Sequence, residues 1–205
     1  MPKKCVIISG GEFSPIEGLN PEDFVIACDR GYEYAVRCGV TPDLIVGDFD
    51  SYAGPLPEGI PVDRHRARKD DTDTMLAIRH ALEIGFQEIE LLCALGGRLD
   101  HSLANIQSAV FAHERGLMAR IKADGIEMFI HPGGTLRLER REGWFLSLFS
   151  LGDVCTGVCI RGAKYPLDKA TLTKGFPLGV SNEWVAAEAE ISLDSGTLLV
   201  VMARE

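Results

Sequence analysis

Two carboxylates one residue apart, Asp48 and Asp50, are the side chains in this sequence best suited to binding a metal ion. They follow an apolar run of strand length that begins at Leu44, and the alternation of an extended chain projects both from the same side. Two carboxylates this close repel each other unless a cation lies between them. A hard cation such as Mg²⁺, shared with substrate phosphates, is the simplest explanation; a polar turn after a strand is the alternative.

A second acidic segment runs from Lys69 to Asp73 and opens a helical pattern. One Asp or Thr of this segment is expected to cap the helix, but three carboxylates exceed what a cap requires. Asp73 is therefore a candidate metal ligand. Lys69 ends the basic run that starts at Arg64, which is either a solvated face or a set of phosphate contacts.

A third segment, Gly96 to His101, again lies between an apolar run and a helical pattern. Glycine at a strand-to-helix turn lets the backbone approach a phosphate, and the N-terminus of the helix adds a favourable field. Gly97 and Arg98 are therefore candidate phosphate contacts, and Asp100 is a further candidate ligand. Gly10 and Gly11, which follow the first apolar run, are only weak evidence for a phosphate loop.

Strand patterns alternate with helical patterns through residues 118–123 and 127–130, which is typical of a parallel sheet with crossover helices. In such sheets ligands bind beyond the carboxyl ends of the strands. Asp29 follows the strand pattern Phe24 to Cys28, so it joins the other acidic residues at that edge. The sequence therefore predicts that these scattered carboxylates converge in space.

The second half has a different texture, because helical periodicity disappears after residues 131–134 and short strand patterns alternate with turn residues. This pattern predicts an antiparallel sandwich or barrel and a domain boundary near residue 131. Two polar stretches, Gly162 to Leu167 and Val180 to Trp184, are expected to be loops. Trp184 offers a flat face for an aromatic or cationic ring.

The amino-acid composition excludes several classes of protein. The chain has 205 residues, a net charge of −9 and 46% hydrophobic residues, which argues against disorder and against binding to nucleic acid or an anionic membrane. Its six cysteines include no C-x-x-C pair, so they are expected to be reduced core residues. A signal segment and a run of transmembrane length are both missing, which predicts a cytoplasmic protein.

An ordered set of motifs resembles the thiamine pyrophosphokinase family over nearly the full length of the chain. The motifs are Asp29-Arg30-Gly31, Gly47-Asp48-Phe49-Asp50-Ser51, Lys69-Asp70-x-Thr72-Asp73, Gly96-Gly97-Arg98-x-Asp100-His101-x-x-Ala104-Asn105, Gly162-x-Lys164-Tyr165-Pro166-Leu167 and Ser181-Asn182-Glu183. Each is modestly specific alone, and six in the right order are strongly specific. Two positions depart from the pattern: Arg30 stands where the family commonly has Gly, and Ala163 replaces a usual Leu.

The resemblance implies an α/β fold with a Rossmann-like parallel-sheet domain, residues 1–130, that binds ATP and Mg²⁺. A C-terminal antiparallel β-sandwich, residues 131–205, would bind thiamine. It also implies a homodimer with thiamine at the junction between one subunit's first domain and its partner's second. The residues implied for metal and polyphosphate are Asp29, Asp48, Asp50, Asp73 and Asp100. The residues implied for thiamine are Ser181, Asn182 and Trp184.

The implied reaction moves the diphosphoryl group of ATP to the hydroxyl of thiamine. A pterin pyrophosphokinase with related acidic motifs is one alternative. A phosphatase of the haloacid-dehalogenase type is another, because the strand that ends in Asp48-Phe49-Asp50-Ser51 resembles its nucleophile motif. A calcium-binding module is disfavoured, since Ala53 and Gly59 stand where an EF-hand loop needs Gly and an acidic residue.

Overall fold

The structure is a computed structural model that describes residues 4–47, 57–64 and 71–204. Asp48, Asp50 and Lys69 lie outside the described residues. The chain divides into two compact units, Met1–Asp124 and Gly125–Glu205. The change of sequence pattern predicts the domain boundary near residue 131. The observed boundary, after Asp124, differs from this prediction by one strand, Ile126–His131.

The described part of the first unit forms a parallel sheet. Its strands are β1 (Cys5–Ile8), β2 (Phe24–Cys28), β3 (Leu44–Val46), β4 (Val62–Asp63), β5 (Glu88–Leu92) and β6 (Met118–Ala123). They lie in the order β6-β5-β1-β2-β3-β4, and each neighbouring pair is parallel. The strands are rich in Val, Ile and Leu and are mostly buried, as expected of a sheet covered on both faces. The predicted parallel sheet is confirmed.

Three helices lie in the described part of this unit: α1 (Gly31–Arg37), α2 (Asp73–Ile84) and α3 (Leu99–His113). The Thr72 hydroxyl accepts a hydrogen bond from the Met75 amide and caps the start of α2, and Gly85, the residue after the helix, caps its end in the left-handed region. The predicted helices are confirmed. The buried face of α3 consists of small residues such as Asn105 and Ala109, whereas Leu103 is 54% exposed.

The strand β7 (Ile126–His131) belongs to the second unit. The sequence pattern assigns residues 127–130 to the parallel alternation, and this prediction is wrong, because β7 pairs antiparallel with β14 (Leu198–Arg204). The connection from β6 to β7 consists of Asp124 and Gly125 alone. A crossover between parallel strands needs a dozen or more residues, and a two-residue connection is too short for such a crossover.

The second unit contains two antiparallel sheets. The remaining strands are β8 (Gly134–Glu139), β9 (Trp144–Ser150), β10 (Val154–Arg161), β11 (Leu167–Thr173), β12 (Gly179–Asn182) and β13 (Glu188–Leu193). One sheet has the order β12-β9-β14-β7 and the other β11-β10-β13-β8. A single buried cluster takes side chains from both sheets, for example Leu148 and Val200 from one and Ile160 and Ile191 from the other.

The stretch Val180 to Trp184 is not wholly the predicted loop, because β12 reaches Asn182. The strand pairs with β9 only at Gly179 and Asn182, and its register shifts between them. Ser181 has φ +57°, a left-handed conformation that breaks the alternation of an ordinary strand. This irregularity explains why the sequence shows no strand pattern there.

All six cysteines are free thiols, and Cys5, Cys28, Cys93 and Cys155 are buried. Burial raises the pKa of the Cys5 thiol to about 12, with a further contribution from Asp43. None of the helices in the described ranges has both the length and the apolar composition of a transmembrane segment.

Candidate active site

A cavity of about 480 Å³ opens in the first unit, at the carboxyl ends of the parallel strands. Its lining residues are Gly10, Gly11, Cys28, Asp29, Asp71, Thr72, Asp73, Thr74, Asp100, His101, Ala104 and Asn105. Three carboxylates that the sequence predicts to converge, Asp29, Asp73 and Asp100, are therefore brought to one cavity although they are far apart in the chain. Gly97 and Arg98 are not among the lining residues.

Asp29 lies directly after β2 in a left-handed conformation, with φ +45°. Its amide donates to the Val46 carbonyl at 2.9 Å, and its own carbonyl accepts from the Tyr32 amide at 3.0 Å. Gly47 packs against it so closely that a Cβ there would lie 3.2 Å from the Asp29 Cα. These backbone contacts hold Asp29 in a conformation that non-glycine residues rarely adopt.

Asp73 is the first residue of α2, where a carboxylate is favoured by the helix dipole. The Asp73 carbonyl accepts a hydrogen bond from the Cys28 thiol at 3.6 Å, and Thr74 shares a 2.9 Å hydroxyl contact with Ser9. These two contacts tie the start of α2 to the ends of β2 and β1. Burial and the nearby Asp73 carboxylate raise the pKa of the Cys28 thiol, so Cys28 stays protonated and can donate.

Asp100 lies in the first turn of α3, and its carboxylate forms a forked ion pair with Arg98. Arg98 Nε and Nη2 donate to the two Asp100 oxygens at 3.1 and 2.6 Å. The side chains are 72% and 64% exposed. The hydrogen bond from Arg98 holds the pKa of Asp100 below its usual range, so Asp100 is ionised at neutral pH. Gly97, which precedes Arg98, has φ +65°, and a Cβ at this position would meet no atom within 4 Å.

The cavity presents oxygen donors of the kind that hard divalent cations take. Within residues 4–47, 57–64 and 71–204, no three His, Cys, Asp or Glu side chains are grouped closely enough to hold a metal ion. The cavity nevertheless presents carboxylate oxygens, which are the hard donors that Mg²⁺ prefers, and Mg²⁺ commonly takes only one or two of them together with phosphate oxygens. A complete predicted ligand set includes Asp48 and Asp50, which the structure does not describe.

Sequence reasoning underrated Gly10 and Gly11, which line the cavity beside Asp29. The Gly11 amide donates to the Cys93 carbonyl at 2.8 Å. A Cβ on Gly11 would lie 2.6 Å from that oxygen, so only glycine fits without a backbone shift. The sequence feature that indicates a place at the site is a glycine pair directly after a buried strand, and such a pair is too common to be decisive alone.

The predicted thiamine residues of the second unit have different environments. Ser181 is exposed, and its amide donates to the Ser147 hydroxyl at 3.0 Å. Asn182 is 3% exposed; its Oδ1 accepts from the Tyr165 amide at 2.9 Å, and its Nδ2 donates to the Tyr165 carbonyl at 2.7 Å. Its amide group therefore holds the backbone of the Gly162 to Leu167 turn.

Trp184 is 6% exposed, and its Nε1 donates to the Leu138 carbonyl at 3.1 Å. It lines a small cavity of about 110 Å³. The other lining residues are Arg140, Arg141, Glu142, Gly143, Trp144, Phe145 and Glu183. The lining combines two indole rings with two carboxylates and two guanidinium groups, and the Arg141 guanidinium already lies 5.1 Å from the Trp144 ring centroid. The assignment of Trp184 to thiamine stays a prediction.

Comparison with known proteins relates both units to one family. The model of the thiamin pyrophosphokinase catalytic domain matches residues 17–121, and that of the thiamin pyrophosphokinase vitamin B1 binding domain matches residues 135–198. A thiamine pyrophosphokinase of Bacillus subtilis (strain 168) is 28% identical over 215 residues, covering 99% of this chain and 100% of that protein. Thiamine pyrophosphokinase 1 of Oryza sativa subsp. japonica is 26% identical over 184 residues, covering 82% of this chain and 69% of that protein.

A solved structure agrees with these sequence matches. The crystal structure of thiamine pyrophosphokinase from Bacillus subtilis has a TM-score of 0.90 and 25% identity, and the likeness covers 99% of this chain and 100% of that one. The family model of the catalytic domain alone spans more than half of the 205 residues. The chain therefore belongs to the thiamin pyrophosphokinase family.

Proposed function

We propose that this chain is a thiamine pyrophosphokinase, which transfers the diphosphoryl group of ATP to the hydroxyl of thiamine and releases AMP. The observation that carries the proposal is the ordered match of both family models, catalytic at residues 17–121 and vitamin B1 binding at residues 135–198. The cavity of the first unit supports it, because Asp29, Asp73 and Asp100 line the same space as two glycines.

Two sets of residues are assigned to the nucleotide site of the first unit, which we interpret as a Rossmann-like domain. The proposed metal ligands are Asp48, Asp50, Asp73 and Asp100. The proposed nucleotide and phosphate contacts are Asp29, Lys69, Gly97 and Arg98. When bound, Mg²⁺ would act as a Lewis acid on phosphate oxygens and offset their developing charge, a contribution of several kcal/mol in such sites.

The transfer requires the thiamine hydroxyl oxygen to attack the β-phosphorus of ATP. An O–P bond forms to the β-phosphorus, the bridge between the α- and β-phosphorus breaks, AMP leaves with the bridging oxygen, and the alcohol proton is released. The role of the carboxylates is to hold the triphosphate so that the β-phosphorus, rather than the terminal one, lies in line with the alcohol. Placement of charge therefore decides the product.

Positioning is a better role for Asp100 than general-base catalysis. The hydrogen bond from Arg98 lowers the pKa of Asp100, and a carboxylate with a lowered pKa is a weak base at neutral pH. His101, the neighbour of Asp100 in the chain, also lines the cavity and is exposed, but no role in proton transfer is assigned to it. Electrostatic stabilisation and alignment are the main sources of rate in phosphoryl transfer, so the proposed mechanism needs no strong base.

Thiamine is assigned to the second unit, which we interpret as a β-sandwich. Ser181 and Trp184 are the proposed contacts, and Asn182 would contribute by holding the neighbouring turn. We further propose a homodimer in which each active site joins the first domain of one subunit to the second domain of its partner. A cytoplasmic location is retained as a prediction from the sequence.

The test incubates purified protein with Mg²⁺, ATP and thiamine and follows products by chromatography. Thiamine diphosphate and AMP are expected in equal amounts. AMP release that depends on a hydroxymethyl pterin instead of thiamine would support the pterin enzyme. Phosphate release from simple esters, with an acyl phosphate trapped at Asp48, would support the phosphatase. ADP as the nucleotide product would contradict diphosphoryl transfer.

A further inference from the structure

The turn at Gly10 and Gly11 is held in place from two sides. Toward β5, the Gly11 amide donates to the Cys93 carbonyl at 2.8 Å, and the Glu12 amide donates to the Leu95 carbonyl at 2.9 Å. Toward α1, the Tyr34 hydroxyl donates to the Gly11 carbonyl at 2.8 Å. A turn with these anchors keeps its shape when a ligand binds, which lowers the entropic cost of binding.

Tyr34 is 6% exposed, so its hydroxyl donates from inside the unit. Burial raises the pKa of the Tyr34 phenol, which keeps it protonated at neutral pH. Its ring lies near the Phe13 ring, with centroids 5.3 Å apart, and near the Arg30 guanidinium, 5.5 Å from the Tyr34 centroid. Tyr34 therefore connects the Gly10 and Gly11 turn to the cation of Arg30.

Arg30 immediately follows Asp29 and precedes α1. A Cβ on Gly10 would lie 3.3 Å from the Arg30 Cβ, so the base of the Arg30 side chain lies against the turn. Arg30 is exposed, and both of its neighbours here, Asp29 and Gly10, line the cavity. Arg30 is not itself a lining residue, and its guanidinium lies over the Tyr34 ring, but it is a positive charge close to a cavity whose described acidic lining consists of Asp29, Asp71, Asp73 and Asp100.

A polyphosphate cannot lie against carboxylates alone, because like charges in contact are strongly unfavourable. The Gly10 and Gly11 turn adds no side chain to the cavity beside Asp29, and Arg30 stands next to this turn with a guanidinium that can bind an anion through two hydrogen bonds. We propose that Arg30 binds the polyphosphate chain of the nucleotide at the Gly10 and Gly11 turn, with Tyr34 as the positioning residue for both. This inference rests on the proposed function and adds a phosphate contact at Arg30.

The test compares Arg30→Ala with Arg37→Ala by calorimetric titration of inorganic tripolyphosphate with Mg²⁺. Arg37 is a matched control, because it is an exposed arginine at the other end of α1 and also lies over an aromatic ring, 3.9 Å from the Phe13 centroid. Arg30→Ala should weaken tripolyphosphate binding about tenfold, because solvent screens an exposed guanidinium and reduces the value of its two hydrogen bonds, and Arg37→Ala should leave binding unchanged. Arg30→Lys should give an intermediate affinity, since it keeps the charge and loses the fork.

Two further measurements separate phosphate binding from other effects. Adenosine should bind equally to all variants, and in the transfer assay Arg30→Ala should raise KM for ATP while leaving KM for thiamine unchanged. Tyr34→Phe keeps the ring and loses only the hydroxyl, so it should weaken tripolyphosphate binding about threefold through the loosened turn. Tyr32→Phe, another buried tyrosine of α1, is its control.

Equal tripolyphosphate affinity in Arg30→Ala and Arg37→Ala would overturn the proposal, as would a parallel loss of adenosine binding. Absence of tripolyphosphate binding by the unaltered protein would also overturn it. If Arg30→Ala fails to fold, Arg30→Lys and Tyr34→Phe decide the question with the same titration. Tripolyphosphate binding that depends on Arg30 in a protein that forms no thiamine diphosphate would support this inference and refute the proposed function.

Discussion

At the scale of single residues, the ion pair between Arg98 and Asp100 shows how a neighbour sets the chemistry of a site residue. Two N–H groups of Arg98 donate to the Asp100 carboxylate, and the pKa of Asp100 is lowered as a result. A lowered pKa means that the carboxylate stays charged to lower pH. The stabilisation from the pair is therefore present above the unfolded-state pKa of Asp100 and is lost as pH falls through the folded-state pKa.

Replacing Arg98 by Met should raise the pKa of Asp100 toward the ordinary range of aspartate. The measurement is a carboxyl carbon NMR titration of the metal-free protein, with the Asp100 signal assigned from Asp100→Asn. Added salt should move the unaltered protein in the same direction, because both side chains are largely exposed and salt screens the pair. Arg137→Met, which removes an exposed arginine of the second unit, is the control. An unchanged titration in Arg98→Met would mean that the pair does not persist in solution.

At the scale of elements, the start of α1 packs closely against the end of β1. Gly31 begins α1, and a Cβ at that position would lie 2.0 Å from the Ile8 carbonyl oxygen and 2.7 Å from its carbon. Both atoms belong to the backbone, so they cannot move away as a flexible side chain would. The glycine thus allows the helix to start against the end of the strand, next to Asp29.

Gly31→Ala should destabilise the protein by about 1–3 kcal/mol, the usual cost of forcing extra volume into a packed site. Urea denaturation gives the free energy of unfolding, and the control is Gly152→Ala, where a Cβ meets no atom within 4 Å and φ is not positive. The control should remain within about 0.5 kcal/mol of the unaltered protein. A Gly31→Ala variant as stable as the control would show that α1 does not pack against β1 as described.

At the scale of the whole molecule, the proposed homodimer predicts a behaviour that neither domain would show alone. If each active site joins the first domain of one subunit to the second domain of its partner, two different inactive variants can restore each other. Asp73→Asn removes a proposed metal ligand from the first domain. Ser181→Arg places a bulky cation at an exposed residue of the second domain, where it would repel the positively charged thiazolium ring.

Each variant alone should be nearly inactive, whereas co-refolded Asp73→Asn and Ser181→Arg should recover about one quarter of normal activity. Random pairing makes half of the dimers mixed, and each mixed dimer has one site built from two intact domains. The measurement is AMP release at constant total protein, with light scattering to establish the dimer. Activity that stays at the level of the separate variants would contradict a shared site, since sites within single chains cannot be restored by mixing.

Local patterns in the sequence were sufficient for most elements of the first unit. Apolar runs that end at polar residues predict β1, β2 and β5, and the helical patterns after residues 72 and 98 predict α2 and α3. These elements could be predicted because propensity, capping and burial all act over a few neighbouring residues. The direction of β7 could not, because antiparallel pairing with β14 joins residues about seventy positions apart. The irregular strand β12 was missed because it is also defined by pairing with a distant segment, the strand β9.

By itself the sequence determined the family of the chain and indicated candidate residues for a site of metal and phosphate, since the motifs and their order along the chain are local features of the sequence. Only the tertiary structure decided that Asp29, Asp73 and Asp100 share a cavity with Gly10 and Gly11. It also decided that Arg30 lies against that turn and that Asn182 is buried as a support for its neighbours. Those facts depend on distances between residues remote in sequence, and such distances are set by how the strands and helices pack together.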